Sequence, residues 1–179
     1  MNTKNNKRRR ASVERIKSAF LSLLEHKPPA HIKVADICKL AGINRSTFYA
    51  NYLDVYDLAD KLYSELEQEV IGLFEQKQSS DQYEADFLEL FRHIKTHRDK
   101  YTFYFKLGYE SRHFRLPDAF DFENVIDEQM KEYHIEFFRN GLNAIIKRWL
   151  ENDCHETPEQ MCEILLCEYR GRFDFAGRR

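Results

Sequence analysis

Apolar residues recur every three or four positions along most of the chain, a spacing typical of amphipathic helices. The first stripe predicts a helix over 12–26, which opens at Ser12 and stops before Pro28. Two short helices are predicted between 33 and 52. Later stripes predict helices over 55–77, 82–97, 99–107, 118–126 and 127–152, and one that opens at Pro158. We therefore expect an all-α protein of about nine helices, with a basic arm over 1–10 that either tracks DNA or forms a solvated tail.

Residues 33–52 have the pattern of a helix-turn-helix, two short helices set at a steep angle. Gly42 stands where the turn needs a left-handed backbone, and Asn44 is placed to cap the second helix. The apolar positions expected to bury against each other are Ile37, Ala41, Ile43 and Phe48. In this arrangement the second helix can enter the major groove of DNA.

The second helix carries an unusually polar set of side chains for its length. Arg45 suits guanine, Asn51 suits adenine and Thr47 suits the methyl group of thymine. The hydroxyl groups that suit phosphate oxygens belong to Ser46, Tyr49 and Tyr52. The alternative is a solvated polar helix in an ordinary helical bundle.

The segment VADICKLAGINRSTFYANY, followed by YDLADKL, resembles the DNA-binding domain of the TetR family of bacterial transcription regulators, over about residues 11–63. The segment FFRNGLNAIIKRWLENDCHETPEQM more weakly resembles the C-terminal region of a TetR subgroup found largely in Firmicutes. The resemblance implies a homodimer whose paired helix-turn-helices grip a palindromic operator of double-stranded DNA, and a C-terminal domain that senses an effector. The DNA contacts it implies are Lys33, Val34, Asn44, Arg45, Ser46, Thr47, Tyr49, Asn51 and Tyr52.

The chain departs from the family pattern at the edges of this module. Lys33 replaces the usual Thr or Ser, and an ammonium group cannot accept a hydrogen bond, so the helix cap must come from elsewhere, with Asp36 as a candidate. Leu53 and Val55 stand where the family often has lysines. Their presence predicts weaker non-specific affinity for DNA.

The predicted helix over 127–152 is apolar on more than one side, and a helix of this kind must bury both sides. One side can pack in its own subunit and the other against a partner, which predicts half of an intersubunit four-helix bundle. The alternative is a wholly internal core. The residues assigned to the dimer interface are Phe138, Leu142, Ile145, Ile146, Trp149, Met161 and Leu165.

The rest of the C-terminal part offers candidates for sensing. An effector pocket could be lined by Phe87, Phe91, Tyr101, Tyr104 and Phe105, although aromatic core packing is the alternative. His93 and His97 stand one helical turn apart, a spacing that can chelate a metal, but such a pair is more often a coincidence of a polar helix face, and we predict no metal site. The cysteines form no C-x-x-C pair and are expected to be buried thiols, with a redox pair of Cys154 and Cys162 or Cys167 as the alternative.

Charge divides the chain in two. Residues 1–63 hold 12 Lys and Arg against 6 Asp and Glu, a net charge of +6, whereas residues 64–179 hold 16 against 24, a net charge of −8. This asymmetry suits a basic DNA-binding domain over 1–53 and an acidic dimerisation and effector domain over 54–179. No apolar stretch is long enough to be a signal peptide or to span a bilayer, so we expect a cytoplasmic protein that does not bind membranes.

Nothing in the sequence indicates catalysis or a cofactor, because no Gly-rich phosphate loop and no nucleophile elbow is present. We therefore predict a sequence-specific transcriptional regulator, a repressor that an effector releases. The alternatives are a transcriptional activator, or a helical interaction module that responds to a protein partner.

Overall fold

The computed structural model describes residues 4–74, 83–109 and 128–173, and these residues form eight α-helices and no strand. The fold class is all-α, as the apolar pattern predicted. The helices are α1 (Lys4–His26), α2 (Val34–Ala41), α3 (Arg45–Tyr49), α4 (Val55–Phe74), α5 (Tyr83–Thr96), α6 (Arg98–Lys106), α7 (Glu128–Glu151) and α8 (Pro158–Phe173), with a 3-10 turn at Pro29–His31. The helix predicted over 118–126 lies outside the described residues.

The start of α1 differs from the prediction. The helix begins at Lys4 instead of Ser12, so the basic segment over 4–10 is its first two turns. The Ser12 hydroxyl, expected to cap a helix start, instead donates to the Arg8 carbonyl at 3.1 Å inside the helix. A favourable Ser N-cap was overridden because nothing between Lys4 and Ser12 breaks a helix.

Two helix ends are fixed by residues close to them in sequence. Before α4, Asp54 Oδ1 accepts from the Asp57 N–H at 2.8 Å, and Asp57 Oδ2 accepts from the Leu53 N–H at 2.8 Å. These bonds satisfy N–H groups that have no partner inside the helix. After α6, Gly108 takes a left-handed backbone with φ of +68°, as a helix-ending glycine does.

The chain divides into two compact units. The first comprises the residues up to Glu67 and the segment beginning at Phe103, and the second comprises Gln68–Thr102 and the helices α7 and α8. The domain boundary at 53/54 stays a prediction, because these units are defined by contacts and not by independent folding.

The first unit has a core to which α1 and both helices of the helix-turn-helix contribute. Ile16 and Phe20 of α1, Ile37 of α2 and Phe48 of α3 are fully buried. Phe103 packs edge-on against Phe20, with ring centroids 6.0 Å apart. Burying side chains of this size stabilises a fold by about 1.5–3 kcal/mol each. The short α3 therefore keeps its position through packing more than through its own hydrogen bonds.

The second unit is built around α5. Phe91 meets Trp149 of α7 edge-on at 5.6 Å, and Phe87 meets Phe138 at 5.9 Å. On α8, the Glu159 carboxylate accepts from Arg92 at 2.7 Å. The Trp149 indole N–H donates to the Glu156 carbonyl at 3.2 Å, which satisfies a polar group that its burial would otherwise leave unpaired.

This packing changes the interpretation of the predicted dimer interface. Of the seven assigned residues, Ile145 alone is partly exposed. The other six are buried by their own chain, namely Phe138, Leu142, Ile146, Trp149, Met161 and Leu165. They belong to the internal core, the alternative that the sequence left open for this side of the helix. A second apolar stripe on α7 is exposed, and it consists of Met130, Tyr133, Phe137, Gly141 and Ala144.

Within the described ranges, none of the helices combines the length and the apolar character needed to cross a bilayer.

Candidate nucleic-acid interface

The turn between α2 and α3 has the geometry that the sequence predicted. Gly42 follows α2 with φ of +62° and ψ of 44°, and its N–H donates to the Cys38 carbonyl. The Ile43 N–H donates to the same carbonyl at 3.0 Å. A left-handed residue that closes the helix in this way redirects the chain within one residue. Gly42 therefore sets the angle at which α3 leaves α2.

Asn44 occupies the capping position of α3, but its side chain makes no capping hydrogen bond. The prediction of a side-chain cap is therefore wrong. The Asn44 carbonyl accepts from the Thr47 and Phe48 N–H groups at 3.0 and 3.3 Å, so the backbone alone starts the helix. Its exposed amide group consequently stays available to a ligand.

At the start of α2, Asp36 takes over part of the role that Lys33 cannot perform. Asp36 Oδ2 accepts from the Lys33 N–H at 3.4 Å and from Lys27 Nζ at 3.2 Å. The bond with Lys27, and to a smaller extent that with the Lys33 N–H, holds the pKa of the Asp36 carboxyl below its usual value. The Lys33 side chain remains exposed, where it can reach a phosphate as a cation.

Most of the residues expected to contact DNA lie on the surface of the first unit. Arg45 and Ser46 are exposed, and the Tyr49 side chain is 56 % exposed although its ring touches Phe48. Arg45 has no hydrogen-bond or ion-pair partner among the described residues. The exposed members are Lys33, Asn44, Arg45, Ser46 and Tyr49, and the half-buried ones are Val34, Thr47 and Asn51.

Tyr52 differs from the others, because only 4 % of the residue is exposed. Its ring packs on Phe48 at 5.6 Å, and Lys61 Nζ lies 5.1 Å from its centroid. Burial raises the pKa of the Tyr52 hydroxyl to about 12. These contacts make Tyr52 a support beneath the helix-turn-helix, and we remove it from the set of phosphate contacts.

An open cleft of about 450 Å³ lies beside the start of α3. It is lined by Ser12 and Arg15 of α1, by Lys39 of α2 and by residues of the turn. Two cations around such an opening favour anionic groups. The sequence prediction did not assign Ser12 and Arg15 of α1 to this site. The run of basic residues from Lys7 to Arg10 contains no helix breaker and could have indicated that α1 begins before Ser12.

The candidate sensing residues fall in both compact units. Phe87 and Phe91 pack on α7, whereas Tyr104 stacks on Tyr63 in the first unit, with ring centroids 6.2 Å apart. Tyr101 is buried, and its hydroxyl lies 2.9 Å from His93 Nδ1. These contacts are those of aromatic core packing, and the effector pocket stays a prediction.

His93 and His97 lie side by side, with ring centroids 4.5 Å apart, and His93 Nε2 is 3.6 Å from Glu69 Oε2. Burial, and secondarily the neighbouring His97, lower the pKa of His93. No group of three or more candidate metal ligands occurs in the parts of the chain that the structure describes.

None of the four cysteines forms a disulfide bond: Cys38, Cys154 and Cys162 are buried and Cys167 is exposed. Burial raises the pKa values of the Cys38 and Cys154 thiols. Both therefore carry less of the thiolate form that reacts with oxidants.

Comparison with known proteins gives two kinds of match, to a family model and to solved structures. A TetR-type family model, described as a transcriptional regulator C-terminal region, matches residues 81–166. No match was found among curated protein sequences. Residues 81–166 thus match the C-terminal region of a family of transcriptional regulators, and the match does not include the helix-turn-helix.

Solved structures share the fold at low identity. A TetR transcriptional regulator from Streptococcus agalactiae 2603V has a TM-score of 0.65 and 20 % identity, covering 92 % of this chain and 96 % of that one. The dihydroxyacetone kinase operon activator DhaS has a TM-score of 0.59 and 19 % identity, with coverages of 92 % and 97 %. The fatty acid degradation regulator FadR from Bacillus halodurans has a TM-score of 0.60 and 12 % identity, with coverages of 86 % and 92 %. The described helices therefore share the fold of TetR-type regulators, and residues 81–166 match the C-terminal region of that family.

Proposed function

We propose that this protein is a sequence-specific DNA-binding regulator that acts as a homodimer on a palindromic operator. One observation carries the proposal: a short helix, held by buried Phe48 and redirected by Gly42, exposes the guanidinium of Arg45, which has no partner in the described part of the chain. Bidentate bonds from arginine to guanine are the commonest specific contact in the major groove.

The proposed contacts divide into two kinds. Arg45 and Thr47 read base edges, whereas Lys33, Ser46 and Tyr49 meet phosphates and fix the register of the protein on the duplex. The backbone of Val34 and the amide of Asn44 add contacts at the starts of α2 and α3. Asn51 is assigned to neither kind, because its amide is bonded to Thr47 and Arg9.

Dimerisation is proposed to use the exposed stripe of α7. Tyr133 and Phe137 are 78 % and 61 % exposed, and Ile164 of α8 is 45 % exposed. Gly141 and Ala144 on the same stripe are small, so a partner helix can approach closely. Several large apolar side chains exposed on one helix favour an interaction site. A dimer would set two copies of α3 about 34–36 Å apart, one turn of B-DNA.

Regulation is proposed to work by effector binding in the C-terminal domain. A ligand with different affinities for the DNA-binding and the released conformations would shift the population between them. Repression released by such an effector is the primary proposal. Activation is the second candidate, and it is favoured by one structural neighbour, DhaS, which is named an operon activator.

The test is the variant Arg45→Ala against a duplex that the wild-type protein selects from random sequences. We expect a loss of about 1–3 kcal/mol in binding and a relaxed preference at one base position of each half-site, because the guanine contact is lost. Arg148→Ala removes the same charge from the exposed surface of α7 and serves as the control.

Unchanged affinity and preference in Arg45→Ala would refute the contact assignment. A wild-type protein that selects no sequence, and binds DNA without steep salt dependence, would instead favour the protein-interaction module, because true DNA binding displaces counterions.

A further inference from the structure

The amide of Asn51 is already occupied by the protein at both of its polar atoms. Asn51 Nδ2 donates to the Thr47 carbonyl at 2.8 Å, and Asn51 Oδ1 accepts from Arg9 Nε at 3.0 Å. Reading adenine requires both atoms, the oxygen to accept from N6 and the nitrogen to donate to N7. Each atom keeps one further hydrogen-bonding position, but the two bonds fix the plane of the amide, so Asn51 meets a base only in the orientation that Thr47 and Arg9 impose.

The first of these bonds completes the end of α3. The helix has only five residues, and its last carbonyls have no partner within it. The Asn51 N–H donates to the Phe48 carbonyl at 2.9 Å, which leaves the Thr47 carbonyl for the Asn51 side chain. The Asn51 amide is therefore oriented by α3, and its oxygen accepts from Arg9.

Arg9 reaches this oxygen because of its place on α1. Residues seven and eleven positions apart on a helix share one face, and Ile16 and Phe20, which follow Arg9 by those intervals, are fully buried in the core of the first unit. The face that packs α1 onto the helix-turn-helix thus continues to Arg9. Arg10 lies about 100° around the helix from it.

The charge of Arg9 is not neutralised by this contact. Neighbouring lysines are paired with carboxylates, Lys17 with Glu65 and Lys61 with Asp57. Arg9 is instead held by a neutral amide through Nε alone, and it is exposed. Its terminal nitrogens have no partner among the described residues, so they keep the two parallel donors that bind a phosphate bidentately.

We propose that Arg9 is a DNA-phosphate contact, and that Asn51 is the positioning residue that fixes it beside the recognition helix and not a reader of bases. The phosphate contact would come from the first turns of α1, and its register relative to α3 would be set by one amide. This inference depends on the proposed DNA-binding function, but it assigns Asn51 differently from what the sequence indicated.

The experiment measures affinity for the duplex selected by the wild-type protein, over a range of salt concentrations. Arg9→Ala should weaken binding about tenfold and lower the slope of log affinity against log salt by about 1, without altering base preference. Arg9→Lys keeps the charge but loses the fork, so it should recover the salt slope and only part of the affinity.

A double-mutant cycle tests the link to Asn51. If Asn51→Ala acts by releasing Arg9, the double variant should bind about as well as Arg9→Ala alone, and not about tenfold worse again. The matched cycle uses Arg10→Ala, which removes a neighbouring charge without the amide contact, and it should be additive. Circular dichroism melts verify that each variant is folded at the assay temperature.

Two results would overturn the inference: Arg9→Ala with the affinity and salt slope of the wild type, or Asn51→Ala with an altered base preference at one operator position. Either can be observed while Arg45→Ala behaves as expected. Failure of the wild-type protein to select any sequence would instead refute the proposed function.

Discussion

Replacement of Gly42 by alanine tests whether the turn before α3 has the backbone described here. A Cβ added at Gly42 would meet no atom within 4 Å, so steric clash contributes nothing to the cost. The cost is conformational, because a residue with a Cβ pays about 1–2 kcal/mol to adopt a left-handed backbone. Alanine also restricts the unfolded chain, which returns about 0.4–1 kcal/mol. We expect a net loss of about 1 kcal/mol in the free energy of unfolding.

Gly72 supplies the matched control. It lies inside α4, without positive φ, and a Cβ there also meets nothing within 4 Å. Gly72→Ala should therefore stabilise the protein by about 0.5–1 kcal/mol. The unfolded-state gain is common to both variants, so the larger part of their difference measures the left-handed backbone at Gly42.

The assay is urea-induced unfolding followed by circular dichroism, at one protomer concentration for all variants because dimerisation contributes to apparent stability. Gly42→Asn should lie between glycine and alanine, since asparagine tolerates the left-handed region better. If Gly42→Ala proved as stable as Gly72→Ala, the turn would not have the backbone on which the presentation of α3 depends.

Two further predictions concern the second unit. The pKa of His93 is lowered in the folded protein, so the unfolded state binds its proton more tightly, and the free energy of unfolding should fall as the pH drops below about 6.5, by at most about 1.4 kcal/mol per pH unit. His93→Gln should flatten this dependence in melts between pH 5 and 8, whereas His155→Gln, at an exposed site, should not. An unaltered profile in His93→Gln would contradict the assignment. Phe137→Glu should raise the dissociation constant of the dimer at least about tenfold, because it places a charge in the proposed apolar interface. Analytical ultracentrifugation measures this constant, and Leu53→Glu, at an exposed site in the first unit, is the control. An unchanged dissociation constant in Phe137→Glu would place the interface elsewhere.

The helix-turn-helix was predictable because its determinants are local. Gly42 is one of few residues that accept a left-handed backbone, and the spacing of Ile37, Ala41 and Phe48 is fixed by helix geometry alone. The acidic cap of α4 and the end of α6 at Gly108 were predictable for the same reason, since each involves residues close together in sequence.

What failed in the prediction depended on contacts between distant residues. Sequence showed that α7 is apolar on two sides, but only packing against α5 decided that Phe138 and Trp149 face inward and that Phe137 faces outward. In the same way, the sequence predicts an exposed hydroxyl at Tyr52, next to a polar helix. Contacts with Phe48 and Lys61 instead bury this residue.

The sequence by itself determined the helical class and the position of the helix-turn-helix, because helix periodicity and turn chemistry act over a few residues. Only the tertiary structure decided which face of each helix is free, and that the guanidinium of Arg9 meets the amide of Asn51 across 42 positions. Side chains this far apart in sequence become neighbours through the burial of Ile16, Phe20 and Phe48, and no local pattern specifies which polar groups that burial brings together.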